Sequence, residues 1–410
     1  MTRARLAGLA GAATSGLAQF ALVAVVTRAF STAEAGKFFT AMAVTLMVAG
    51  VLKLDAGNGL VYFLSRPHSG DERADASGYI RAALVPPVLV SAAVAVPAAF
   101  VPGMQVFALA VPMVVAADIL VSATRGYGSM RATLLLEGLA LPLGQVGLVA
   151  VAAAAGEVAW LPVAWAVPYA VVVVGAALLV ARRARGLGAC DARGAAGELW
   201  RHTAPRSVAG AVQAVFQRMD VVIVAMLAGP VEAAVYTAAT RFKVVGQLAG
   251  RGLAQAAQPR LVRTLAGGDL DGTREIYQAS TRWLVLLTWP IWLGYAAFAP
   301  VILRVFGMTY TAGAPVALVL SGTMMLATAC GMADVVLTAA GHTTSSMVNL
   351  LLAIAVTVAL DVLLVPAYGA LGAALGWSGG MLVKNLLPLV RIHRLYGLRP
   401  FPLPLSQGAR

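Results

Sequence analysis

The chain has 410 residues, 60% of them apolar and only 11% charged, with a formal net charge of +13. Soluble domains carry about 25% charged residues and need them over most of their surface, so a soluble fold is excluded. The basic residues sit between apolar runs rather than along one face, which excludes a nucleic-acid partner. Cys190 and Cys330 have no second thiol nearby, so neither a disulfide framework nor a metal site is indicated.

Apolar runs of about twenty residues are long enough to cross about 30 Å of hydrocarbon as helices. Taken in order, they predict spans near 6–27, 38–62, 79–99, 104–124, 132–153 and 159–181, then near 206–228, 231–254, 281–303, 314–338, 346–367 and 370–390. The first run follows Arg3 and Arg5 but exceeds the 7–15 apolar residues of a secretory signal, so it is read as an uncleaved span. Arginines crowd alternate connections: Arg66, Arg73 and Arg81 after the second span, Arg125 and Arg131 after the fourth, Arg182 to Arg206 after the sixth, and Arg391, Arg394 and Arg399 after the last. The opposite connections hold only Arg28, Lys37 and Arg304. Cytoplasmic loops retain Lys and Arg, so both termini are expected in the cytoplasm; arginine far outnumbers lysine and alanine is abundant, which suggests a GC-rich bacterial genome and so a bacterial inner membrane.

Polar landmarks repeat at an offset of 198: Glu34 falls on Glu232, Gln19 on Gln217, Phe38 on Tyr236 and Lys53 on Arg251. Six spans per half keep the orientation, which predicts an all-α integral membrane fold of about twelve helices, two six-helix lobes being related by a parallel pseudo-two-fold. The expected lobes are 1–181 and 206–390, with a linker at 182–205 and a cytoplasmic tail at 391–410.

Ionisable groups in hydrocarbon cost several kcal/mol, so those inside spans are expected to face a cavity or a partner. Lys243, Gln247 and Arg251 recur every fourth residue on one face of the eighth span, and Lys53 takes the equivalent place on the second. Gln213, Gln217 and Asp220 stripe the seventh span. Together with Arg218, Arg241 and Arg28, these are the candidate cavity residues, cations for an anionic group and amides for hydroxyls. Snorkelling of Arg251 to the interface, pairing of Arg218 or Arg241 with Asp220, and anchoring by Arg28 are the competing structural roles. Asp55, Glu137, Asp334 and Asp361, with Asp118, are candidate carriers of a coupling proton. The four histidines have neither a paired carboxylate nor metal spacing, so no enzymatic constellation, metal or cofactor is expected.

Several stretches carry a resemblance. Thr27-Arg28 with Ala33-Glu34-Ala35-Gly36-Lys37-Phe38 opens it. Arg218-Met219-Asp220, Gly229-Pro230-Val231-Glu232 and Tyr236-Thr237-Ala238-Ala239-Thr240-Arg241-Phe242 continue it, and Pro259-Arg260-Leu261, Val305-Phe306-Gly307 before Tyr310, and Val365-Pro366-Ala367-Tyr368-Gly369-Ala370 complete it. Their order resembles the polysaccharide flippases of the multidrug, oligosaccharidyl-lipid and polysaccharide (MOP) exporter superfamily. The resemblance implies a MATE-like, two-lobed V shape and a substrate of undecaprenyl-pyrophosphate-linked oligosaccharide. Membrane lipids, a polysaccharide polymerase and a chain-length regulator would be its partners. At Leu54-Asp55-Ala56-Gly57 the sequence departs from the Leu-Gly-Leu-Gly pattern of that family, so no role for Asp55 is carried over. A multidrug exporter of the same superfamily is the alternative, with an integral-membrane polymerase or ligase behind it. A major-facilitator transporter is disfavoured because Ser65 to Arg73 lacks that group's loop motif, and buried cations at repeated positions argue against a purely structural scaffold.

Overall fold

The structure, a computed structural model, describes residues 2–65, 75–184 and 192–401, the side chains of 2–10, 12, 13, 75, 184, 192, 193, 244–249, 251 and 255 excepted. Every regular element among the described residues is helical. The chain forms two compact units, Met1–Val222 and Ile223–Arg410.

The first unit contains α1 (Thr2–Ala29), α2 (Thr32–Leu52), α3 (Ala56–Leu64), α4 (Asp75–Ala98) and α5 (Gln105–Gly126). A short α6 (Met130–Thr133) runs through a π-helical segment, Leu134–Ala140, into α7 (Leu141–Ala155), followed by α8 (Leu161–Ala184), α9 (Ala192–Phe216) and the start of α10 (Met219–Leu227). Its core joins Leu60 and Phe63 of α3 to Val115 and Ile119 of α5 and Leu199 of α9. The second unit holds α11 (Pro230–Thr240), α12 (Lys243–Ala266), α13 (Leu270–Ala297), α14 (Ala299–Leu303), α15 (Ala314–Ala329), α16 (Ala333–Ala339) and α17 (Thr343–Tyr396). Tyr277, Val336, Leu337, Ile392 and Leu398 centre its core.

Burial is inverted relative to a soluble protein. Phe100, Met226, Leu17 and Leu363 are 83%, 78%, 72% and 71% exposed, an apolar surface that water would penalise and lipid does not. Seven helices among the described residues are long and apolar enough to cross a bilayer, nine when the bent pairs Gly194–Phe216 with Met219–Leu227 and Leu270–Ala297 with Ala299–Phe306 each count as one span. Each of the twelve predicted spans has helix at its place. The surplus has physical reasons: α17 counts once although it is two arms, the described apolar part of α1 begins at Thr14, and α12 is too polar to pass on composition.

The structure corrects continuity more than position. The second span, expected unbroken over 38–62, stops at Leu52 and restarts at Ala56, because Leu54 and Asp55 take left-handed backbone angles, φ 51° and 53°. Lys53, expected within an unbroken second span, therefore ends α2 as its C-cap residue, and Gly57 lies on α3. Residues 192–205, expected within a linker, form the first half of α9. In α17 the backbone leaves the helix at Gly369 (φ 53°, ψ −129°), the only conformational break in its 54 residues. Without a Cβ, glycine takes that angle freely.

The repeat-related glutamates cap different helices. Ser31 and Glu34 close a capping box on α2, the Ser31 N–H and hydroxyl donating to Glu34 Oε2 at 2.9 and 2.7 Å. Glu232 instead accepts the Ala370 N–H at 2.8 Å, placing a carboxylate at the start of the second arm of α17. Glu232→Gln keeps an acceptor but removes the charge, and should cost about 1 kcal/mol. Thermal unfolding in detergent should register this as a drop of about 2–4 °C, whereas no change would mean that the backbone geometry of Gly369 alone holds the turn.

Candidate functional site

A cluster of ionisable side chains gathers inside the first unit from α2, α5, the π-helical segment, α8 and the turn between α9 and α10. Lys53, the C-cap residue of α2, donates from Nζ to Asp118 Oδ1 at 3.3 Å, with side chains 36% and 35% exposed. Asp118, Ser122 and Arg125 follow at intervals of four and three and share a face of α5, and the Arg125 guanidinium donates to the Ser122 hydroxyl at 2.5 Å. Gly57 brings α3 so close to this face that a Cβ there would stand 2.7 Å from Ser122 Oγ.

Glu137 lies at the middle of the π-helical segment. Such segments interrupt the regular hydrogen-bond ladder and concentrate at functional sites. Arg125, Asp118 and Lys53 are the charged groups within its electrostatic reach. Tyr169 is buried on α8 in the field of Arg218, Glu137 and Asp118, and the buried Gln145 amide of α7 donates to the Trp165 carbonyl at 3.1 Å. Arg218, in the turn before α10, lies within electrostatic reach of Tyr169 and Asp220. Asp220 is 5% exposed, and one of its oxygens accepts the Val221 N–H at 2.9 Å. The cluster thus sets three cations, Lys53, Arg125 and Arg218, against three carboxylates, Asp118, Glu137 and Asp220. Exchange of partners within such a set moves charge without exposing an isolated ion, provided that an incoming anion or proton replaces each lost contact.

The other candidates fall as follows. Asp55 is held by Arg206 and Asn58 in the break between α2 and α3. Gln213 is half-buried on α9, Gln217 is exposed in the turn after it, and Arg28 is exposed in the last turn of α1. In the second unit, Lys243 stands over the Trp377 ring at 4.4 Å and the Tyr236 ring at 5.4 Å, an arrangement that stabilises a cation by the ring quadrupoles. Arg241 caps α11 and is half-buried. Asp334 accepts the Ser346 hydroxyl at 2.6 Å across the turn into α17. Asp361 is fully buried between the arms of α17, beside Gly376. The side chains of Gln247 and Arg251 lie outside the described ones.

Residues 205–363 match the MatE family. A search of curated proteins by sequence found no match. Among solved structures the chain resembles an inward-facing multidrug resistance MATE family transporter of the MOP superfamily, with a TM-score of 0.76 at 15% identity over 93% of this chain and 94% of that one. It resembles the lipid II flippase MurJ in an inward closed conformation equally well, with a TM-score of 0.76 at 11% identity over 96% and 87%. A MOP superfamily transporter from Pyrococcus furiosus follows at 0.60 and 14%, over 97% and 95%. The chain has the MATE fold. It is a multi-pass membrane protein, helical throughout its regular elements among the described residues.

Against that fold, the sequence reading missed Arg125, Gln145 and Tyr169 and counted Arg206 only as a loop charge. The signal for Arg125 was present: it shares the Asp118 and Ser122 face within the last turns of α5, so it is not only a loop charge. Tyr169 and Gln145 gave no such signal, because one polar residue in an apolar span reads as packing.

Proposed function

We propose that this MATE-fold protein is a transporter that flips undecaprenyl-pyrophosphate-linked oligosaccharide outward across the bacterial cytoplasmic membrane for surface-polysaccharide assembly. It works by alternating access between lobes 1–181 and 206–390, with both termini cytoplasmic. A polymerase and a chain-length regulator act with it. The observation that carries the reading is the charged cluster of Lys53, Asp118, Arg125, Glu137 and Arg218 inside a lipid-facing unit, an arrangement too costly to keep without a polar cargo. The likeness to a lipid II flippase supports a lipid-linked cargo, and the opening of the family match at residue 205 supports the start of the second lobe.

The arriving diphosphate takes Lys53 and Arg218 from their carboxylates, and a freed carboxylate takes up a proton or small cation in exchange. Glu137, Asp361, Asp334 and Asp55 are the groups from which that coupling site is drawn. In the second lobe, Lys243 and Arg251 are the cations that serve the cargo, and Gln213, Gln217 and Gln247 bind sugar hydroxyls. The polyprenyl tail stays in lipid while the headgroup crosses.

Replacing Lys53 and Arg251 together with glutamine should abolish flipping of a lipid-linked oligosaccharide in proteoliposomes while leaving insertion intact. Flipping at the parent rate would refute the cavity assignment. Export of a cationic dye by the parent protein, with no lipid flipping, would favour the multidrug reading that the equal likeness to a multidrug transporter keeps in play.

A further inference from the structure

We propose that Asp55 and Arg206 form a latch that holds α9 against the broken second span and closes the cytoplasmic end of the transport path, a proposal resting on the alternating-access reading. The break is an unfavourable piece of backbone. Leu54 and Asp55 are the non-glycine residues with positive φ among the described residues, and left-handed backbone disfavours side chains with a Cβ, leucine more than aspartate. Such strain persists only where the surroundings over-determine it. Here α9 supplies much of the hold. The Ser207 hydroxyl donates to the Leu54 carbonyl at 2.5 Å, Arg206 Nε donates to Asp55 Oδ2 at 3.0 Å, and Asn58 donates to the other Asp55 oxygen at 2.6 Å.

The rest of the seam is closely packed. Around the ion pair, Gly50 meets Ala214, Gly59 meets Thr203 and Gly210 faces the Asp55 Cβ. A Cβ on Gly50 would stand 2.7 Å from that of Ala214, and one on Gly59 only 2.1 Å from Thr203 Cγ2. The His202 ring stacks on Tyr62 of α3 at 4.3 Å. Asp55 is 10% exposed within the seam and Arg206 57% exposed at its mouth. The pair therefore closes the outer edge of a small-residue contact, and its loss lets water reach Thr203, which is now fully buried.

The element has two states by construction. While α9 is docked, its groups stabilise the left-handed break; once it lifts, the break loses those partners and α2 and α3 are free to join as one regular helix. Arginines crowd the connections after the second span and before the seventh, which puts this seam at the cytoplasmic end of the proposed path.

The test is cysteine accessibility on the purified full-length protein, with Cys190→Ser and Cys330→Ser as background and Thr203→Cys as reporter of the seam. Asp55→Asn, which keeps tolerance of the left-handed angle, and Arg206→Gln should each raise labelling by a water-soluble maleimide at least fivefold. The double variant should label no faster than either single one, as for two halves of one contact. Asp55→Gly, which removes the strain together with the carboxylate, should behave like Asp55→Asn. Arg274→Gln, which breaks the exposed Arg274–Asp271 pair, should leave labelling unchanged.

Labelling at the parent rate in Asp55→Asn, additive effects in the double variant, or an equal rise in Arg274→Gln would overturn the latch. The measurement needs no substrate. An intact latch response beside absent flipping would sink the proposed cargo alone, whereas flat labelling beside normal flipping would sink the latch alone.

Discussion

Gly372→Leu should yield no folded protein, and Gly372→Ala should lower the stability of the second unit by about 3 kcal/mol. The two arms of α17 lie antiparallel on either side of Gly369, and Gly372, Gly376 and Gly380 recur every fourth residue along the second arm. They meet Leu364 and Val365, Asp361, and Thr357 with Ala353 on the first. At Gly372 the obstacle is backbone: a Cβ would stand 2.4 Å from the Leu364 carbonyl oxygen and 2.7 Å from the Val365 nitrogen. No rotamer change relieves that contact, so the arms must separate and forfeit the van der Waals packing that drives helix association in lipid. Thermal unfolding in detergent should place Gly372→Ala about 6–12 °C below the parent. Gly147→Ala and Gly294→Ala, where a Cβ meets nothing within 4 Å, should be neutral or slightly stabilising, as alanine is the better helix former. A Gly372→Ala protein that melts with the parent would show that the arms are not in close contact.

Much of this fold was legible because hydrocarbon imposes length and polarity on every span. Each of the twelve predicted runs falls on helix, although some helices break within them, and Lys53, Glu137 and Arg218 stood out because charge in such runs is expensive. What stayed hidden depends on contacts between spans. No propensity assigns left-handed backbone to Leu54, so the break in the second span is visible only once Ser207 and Arg206 lie against it. Lys53 and Asp55 are two residues apart, yet Lys53 bonds Asp118 and Asp55 bonds Arg206, because residues two apart do not share a helix face. Arg206 and Arg125 were counted as topology charges; counting sidedness says nothing about which of those cations also reach a carboxylate.

The Lys53–Asp118 pair allows folding and transport to be separated by experiment. Asp118→Leu leaves Lys53 without its carboxylate among lipid-facing helices, and breaking one side of a buried pair costs about 3–5 kcal/mol. Both side chains here are about one-third exposed, so water recovers part of that cost and a loss of about 2 kcal/mol is expected. Lys53→Met with Asp118→Leu removes both charges while keeping apolar volume, and should return stability to within about 1 kcal/mol of the parent, since replacing an ion pair by packed apolar groups is often neutral. Transport should not return with it. If Lys53 is a cation that the diphosphate must take from Asp118, the double variant is a well-folded protein that lacks this exchange, and its flipping rate in proteoliposomes should stay at the level of empty vesicles. A purely structural pair makes the opposite prediction, in which the doubly apolar protein recovers stability and flipping together. Measuring both quantities on the same three proteins decides between the two.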